Sequence, residues 1–76
     1  MNNVMLKGKH HKGCKIEIDI VGSSSKVGIL YVWILSIDDN PYSISKSFKT
    51  YDMAVDDYKI NGFVIYNQLI RMINNR

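Results

Sequence analysis

His10, His11 and Cys14 are the side chains whose types could hold a metal ion, because imidazole and thiolate both bind zinc. A structural zinc site normally has four protein ligands, and the sequence contains no second ligand pair to complete the set. Adjacent histidines also point to opposite sides of an extended chain. The sequence therefore predicts neither a metal site nor a cofactor.

Two further arrangements could support catalysis. Cys14 and His11 could act as nucleophile and base, but nothing in the sequence marks the orienting group and oxyanion hole that such a pair needs. Asp52 and Asp56 are four residues apart and would share one helix face, where paired carboxylates can do acid–base work. Carboxylates near a helix start are better explained by the helix dipole. We therefore expect no enzymatic activity.

Positive charge is concentrated at the N-terminus. The net charge is +3, and the chain after residue 15 carries six basic and seven acidic residues. A basic arm can attract the phosphates of a nucleic acid, although a short basic run is more often a solvated terminus. The residues predicted to contact nucleic acid in that interpretation are Lys7, Lys9, His10, His11, Lys12 and Lys15.

The elements that would position these side chains begin with three strands. Residues 15–20 alternate strictly between apolar and charged, which is typical of a half-buried strand. The segment Gly22-Ser23-Ser24-Ser25-Lys26 that follows is predicted to be a turn. Residues 28–37 are apolar on both sides and rich in β-branched and aromatic types, which indicates a strand covered on both faces. A turn at residues 38–41 precedes a third alternating segment at residues 42–48, where Pro41 favours an edge strand.

A single long helix is predicted after Thr50, which is a plausible N-cap. Apolar residues at spacings of three and four form one stripe from Ala54 to Ile73. Gly62 lies on this stripe and is unfavourable in a helix interior. It could allow the helix to approach the sheet closely, against Trp33, or it could mark a kink or a break into two helices.

The predicted fold class is α+β: a three-stranded antiparallel β-meander of order 1-2-3, with one long C-terminal helix packed on one face. Residues 1–13 would form a basic, flexible arm and residues 14–76 a single domain. In the second strand, either the odd-numbered or the even-numbered apolar residues could face the core. We predict that the odd-numbered residues do, because that set is larger. The other expected core residues are Ile16, Ile18, Ile20, Tyr42, Ile44, Phe48 and the helix stripe.

Length and composition limit the class of protein. A chain of 76 residues with one cysteine cannot form an internal disulfide, and a single core of this size seldom supplies more than about 3–5 kcal/mol. The sequence has no apolar run of membrane-spanning length and no secretory signal at its start, so a cytoplasmic protein is expected. Association with a partner is the remaining common source of stability.

The junction Ser47-Phe48-Lys49-Thr50-Tyr51-Asp52-Met53-Ala54, between strands and helix, resembles the layout of plant AP2-type domains and of the arm-binding domains of phage integrases. That resemblance implies a sheet face laid in a DNA groove. The chain departs from the pattern because its strands contain no arginine and its first strand is acidic. The segment Gly8-Lys9-His10-His11 is similar to a Gly-Ser-His loop in one family of small RNase toxins, but the helix that precedes that loop does not fit here.

Self-association is the leading functional expectation. One helix covers one sheet face, so the even-numbered apolar residues of the second strand would form a stripe on the other face: Leu30, Val32 and Ile34. This predicts a small protein-interaction or structural subunit that acts as a homodimer or within a complex. The alternative is a nucleic-acid-binding module that uses the basic arm and the sheet face. In a competing hypothesis, residues 1–13 fold back over this face and cover the stripe with Val4 and Leu6.

Overall fold

A computed structural model describes residues 9–75, apart from the side chains of Lys9 and His10. Four strands precede one helical segment that contains a π-helical turn. The elements are β1 (Lys9–His11), β2 (Cys14–Ser25), β3 (Gly28–Ile37), β4 (Asn40–Ile44), α1 (Tyr51–Asp57), the π turn (Tyr58–Gly62) and α2 (Phe63–Asn74).

The predicted α+β fold is confirmed: an antiparallel meander is followed by a C-terminal helix, and the sheet order is β1-β2-β3-β4. The structure adds the short strand β1 to the three predicted strands. Two-residue turns with positive φ close two of the hairpins, Lys12–Gly13 and Asp38–Asp39. Such turns match the right-handed twist of the strands that they connect.

The helix covers the sheet face that carries the odd-numbered residues of β3, as expected from their larger side chains. Trp33 is 2% exposed and Leu35 is fully buried. Tyr31 and Ile37 are half-buried against the same core, whereas Ile29 lies beyond it and is mostly exposed. From β2, Ile16 and Ile18 complete this layer.

The expectation that Tyr42 and Ile44 belong to the core is wrong, since Tyr42 is 38% and Ile44 is 57% exposed. The pairing of β3 with β4 shifts between Leu35 and Ser36, which is a β-bulge. The bulge adds one residue to β4, and a shift of one residue moves a side chain to the opposite face. Ile44 therefore lies opposite Ile34 on the face away from the helix, while the hydroxyl of Tyr42 lies 3.3 Å from the Met72 sulfur on the helix side.

The helical segment is continuous from Tyr51 to Asn74, and its start is the one expected from the sequence. The Thr50 hydroxyl oxygen accepts the Met53 N–H at 3.1 Å. This bond satisfies one of the backbone donors that every helix N-terminus leaves without a partner.

Gly62 ends the π turn, and its missing side chain leaves room for the ring of Tyr58. A Cβ at Gly62 would overlap the Tyr58 Cδ1 atom and would lie 2.8 Å from Cε1. The Tyr58 ring packs edge-to-face against Trp33, with centroids 5.6 Å apart. The glycine therefore permits close packing of helix and sheet, and the helix does not break there.

Asp57 joins the same cluster to Asn61, one turn further along the helix. The Trp33 indole N–H donates to one carboxylate oxygen of Asp57 at 2.8 Å, and the Asn61 amide donates to the other at 2.6 Å. Both oxygens are thus occupied, and one of them binds the centre of β3. This arrangement sets the position of the helix along the sheet.

Replacing Gly62 with alanine tests the close packing. Alanine is about 1 kcal/mol better than glycine in a helix interior, yet we expect Gly62→Ala to lower the free energy of unfolding by about 1–3 kcal/mol, because Tyr58 must leave Trp33. Urea denaturation measures the change. Asn67→Ala, at an exposed position of α2, is the control and should be neutral or slightly stabilising. Equal stabilisation by both substitutions would contradict the packing argument.

Burial of Tyr58 should also appear as a dependence of stability on pH. Burial, with a smaller contribution from the nearby Tyr66, raises the pKa of Tyr58 to about 12 from an ordinary value of 10.0. The folded state therefore holds this proton more tightly than the unfolded state, so the stabilisation is complete below pH 10 and is lost as the pH rises through about 12. Between these values the melting temperature of the wild type should fall more steeply than that of Tyr58→Phe. Parallel curves would show that Tyr58 does not titrate in this way.

Candidate interaction surface

The sheet face opposite the helix carries five apolar side chains from three strands, here called the open-face stripe. In the register, Val21 lies beside Val32, and Ile34 lies beside Ile44. Val21 is 42% and Ile44 is 57% exposed, and the other members are partly exposed. The members of the stripe are Val21, Leu30, Val32, Ile34 and Ile44.

Within residues 9–75 no element packs over this stripe, because the only helical segment lies on the other face. Monomeric proteins rarely leave a contiguous apolar patch of this kind uncovered. The stripe is therefore the feature of the described chain most suited to bind another protein surface. The alternative cover predicted from Val4 and Leu6 lies outside the described residues.

Leu30, Val32 and Ile34 lie together on this face, and two of their neighbours, Val21 and Ile44, were not predicted from the sequence. Val21 was not assigned to this face because the glycine and serines that follow it were predicted to form a turn, whereas β2 continues through them to Ser25. Ile44 was predicted to lie on the helix side because the sequence pattern does not show the β-bulge. The alternation of Glu17, Asp19 and Val21 was the signal that could have placed Val21 on this face.

Charged groups lie at the ends of the open-face stripe. Glu17 and Asp19 lie at the end near the β3–β4 turn, and Lys26 lies in the turn at the opposite end. Lys15 forms ion pairs with Glu17 at 3.6 Å and Asp39 at 3.3 Å. The hydrogen bond and charge of Asp39, with the charge of Glu17, raise the pKa of Lys15. The turn end thus carries more acids than bases, and the opposite end is basic.

Three of the residues predicted to contact nucleic acid are engaged within the protein. Lys15 pairs with carboxylates, as above. The His11 Nε2 atom lies 2.7 Å from the side-chain oxygen of Asn74, and the Lys12 ammonium donates to the Asn74 backbone carbonyl at 3.4 Å. These contacts place His11 and Lys12 at the C-terminus of α2. Lys7 and the side chains of Lys9 and His10 lie outside the described residues.

The pair considered as nucleophile and base is brought together by the first hairpin, since His11 and Cys14 are direct cross-strand partners. Cys14 is buried in the core, and the His11 ring contacts Asn74. In the described part of the chain, no three histidine, cysteine or acidic residues cluster closely enough to hold a metal ion. The arrangement is thus explained by packing at the end of the sheet.

A second, smaller apolar cluster lies on the outer side of the helix. Ile60, Phe63 and Val64 are each more than half exposed, and the Phe63 ring stacks on that of Tyr66. The cluster comes from one helix only. Its exposed side chains offer sites for matched control substitutions.

None of the helices formed by residues 9–75 is long and apolar enough to cross a membrane. Comparison with known proteins adds no further assignment: no family model, no curated protein and no solved structure matches this chain.

Proposed function

We propose that this chain is a small structural or protein-interaction subunit that acts as a homodimer, in which the open-face stripe packs against the same stripe of a second copy. The observation that carries the proposal is the stripe itself, because five apolar side chains from three strands lie side by side on a face that no described element covers. The proposal includes no catalytic step and no cofactor.

The energetics of a small chain favour this arrangement. The core formed by residues 9–75 is small, and the side chains with almost no exposure include Ile16, Leu35 and Leu69. Burying the exposed halves of Val21 and Ile44 would contribute about 1 kcal/mol each, since full burial of such a side chain is worth about 1.5–3 kcal/mol. The dimer would thus stabilise the fold of each subunit as well as hold the two together.

Charge favours an antiparallel arrangement of the two subunits. The stripe has Glu17 and Asp19 at one end and Lys26 at the other. Two-fold symmetry, which is the commonest for soluble homodimers, can place each Lys26 near the acidic end of the partner. A parallel arrangement would bring the acidic ends together, where like charges repel. Packed sheets with strands nearly aligned are a standard form of sheet association.

Binding of nucleic acid stays a prediction with less support from this geometry. Lys15 is already paired with Asp39, and Lys12 already donates to a backbone carbonyl. Glu17 and Asp19 lie on the sheet face that would have to meet phosphate, and they would repel it. A gel shift that shows salt-sensitive binding, lost on deletion of residues 1–12, would restore that alternative.

The homodimer predicts a specific result in sedimentation velocity. The wild type should be a dimer at micromolar concentration, and Val32→Asp should be monomeric, because a carboxylate at the centre of the stripe cannot be buried without a partner. Val64→Asp introduces the same charge on the outer helix cluster and should leave the dimer intact. A monomeric wild type, or equal dimerisation of the two variants, would refute the proposal.

A milder variant separates loss of association from loss of folding. Val32→Thr keeps the shape of valine but adds a hydroxyl, and it should weaken dimerisation by about tenfold while circular dichroism remains that of the wild type. Unchanged affinity in this variant would also count against the stripe as the interface.

A further inference from the structure

Within residues 9–75, the outer edge of β2 is a second feature without a partner. The described part of β1, Lys9–His11, pairs with Cys14, Lys15 and Ile16, whereas β2 continues to Ser25. Within residues 9–75 no strand lies along the outer edge of residues 17–25. On its other side this segment pairs with β3 in continuous register, so it is a regular extended strand. An edge of this length is a template for another strand.

The backbone groups that point out from this edge can be identified from the hydrogen bonds. The backbone N–H and C=O groups of odd-numbered β3 residues point towards β4. Tyr31 exchanges two backbone hydrogen bonds with Phe48, and the Trp33 carbonyl accepts the Ser45 N–H. The Lys15 carbonyl accepts the Asp38 N–H, so the backbone N–H and C=O groups of odd-numbered β2 residues point towards β3. Antiparallel strands alternate in this respect. The groups that point outward therefore belong to Ile18, Ile20, Gly22 and Ser24.

We propose that this edge is a second self-association site, at which β2 of another copy pairs antiparallel about a two-fold axis at Val21. The pairing would join two four-stranded sheets into one continuous sheet, with both helices on the same side. It goes beyond the proposed homodimer and does not require it, because it uses the backbone edge of β2, which shares Val21 with the open-face stripe.

The register follows from the geometry of the edge. Val21 is the middle of residues 17–25, so an axis there uses the whole free edge. It places Ile20 opposite Gly22 of the other copy, so that outward-pointing donors meet outward-pointing acceptors. An axis between two residues would instead place outward-pointing groups opposite inward-pointing ones, and the ladder could not form.

The side chains along the edge are complementary in this antiparallel register. Val21 lies beside its own copy, and the Asp19 carboxylate lies beside the Ser23 hydroxyl, which can donate to it. Glu17 lies beside Ser25, whose hydroxyl already donates to the Gly28 carbonyl at 2.7 Å. The two Asp19 side chains are about 13 Å apart along the strands, which exceeds the Debye length of about 8 Å at physiological salt. In a parallel, in-register pairing Asp19 would lie beside Asp19 and repel it.

The helix side of the edge offers an apolar contact. The Tyr31 ring covers Gly22, where a Cβ would lie 2.9 Å from the ring atom Cε1. Ile20 of the second copy would lie opposite Gly22 and beside this ring. This contact is small, so we expect edge pairing to be weaker than the face-to-face dimer and to appear at higher protein concentration.

Amide hydrogen exchange by NMR tests the edge pairing residue by residue. In β2 the amides of Glu17, Asp19, Val21 and Ser23 donate towards β3 and should be protected at every concentration. The outward amides of Ile18, Ile20, Gly22 and Ser24 should gain about tenfold in protection as the concentration rises from micromolar to millimolar. Outward amides that exchange freely throughout, or that are protected independently of concentration by the chain's own residues, would overturn the proposal.

Substitutions at Ser24 give a matched pair for the same experiment. Ser24→Pro removes an outward N–H and should abolish the concentration-dependent protection, whereas Ser24→Ala keeps the N–H and should preserve it. Repeating the measurement in Val32→Asp separates the two proposals, since edge pairing should persist there if only the face-to-face dimer is lost. Protection that disappears in Ser24→Ala, or persists in Ser24→Pro, would contradict the backbone pairing.

Discussion

The hydrogen bond from the Trp33 indole to Asp57 is the contact on which the rest of the structure depends. A buried indole N–H without an acceptor would cost about 1–3 kcal/mol, and Asp57 supplies that acceptor at the point where the helix changes from α to π geometry. Asn61 occupies the other carboxylate oxygen. The bond fixes the rotation of the helix, which places Leu69 in the core and Ile60 in solvent.

Once the helix is held on this face, the other face of the sheet has no cover within residues 9–75. Strand β3 is apolar on both sides, so the same sequence that builds the core also builds the open-face stripe. The β-bulge beside Leu35 enlarges it, because the extra residue turns Ile44 away from the helix. Two local irregularities, the π turn and the bulge, thus decide which apolar residues are buried and which remain available for binding.

The sequence was sufficient to predict the features that depend on local pattern: three of the four described strands, the Thr50 cap, and the choice of Trp33 and Leu35 for the core. It was insufficient where tertiary contacts override the pattern. The position of Ile44 depends on a bulge that alternation cannot reveal, and the course of β2 past Gly22 depends on the covering ring of Tyr31. Gly62 was recognised as unusual, but its role follows from contacts with Tyr58 that are set by the sheet.

The two surfaces meet at Val21, which belongs both to the open-face stripe and to the edge of β2. If two copies pair along this edge, their Val21 side chains lie together, and the two stripes become one apolar band across a continuous sheet. Face-to-face packing would then bury a larger area than it does for single subunits. Coupling of this kind is reciprocal, so the face-to-face contact must strengthen edge pairing by the same factor. The acidic residues beside Val21 restrict the outcome to the antiparallel register, because only that register separates their charges.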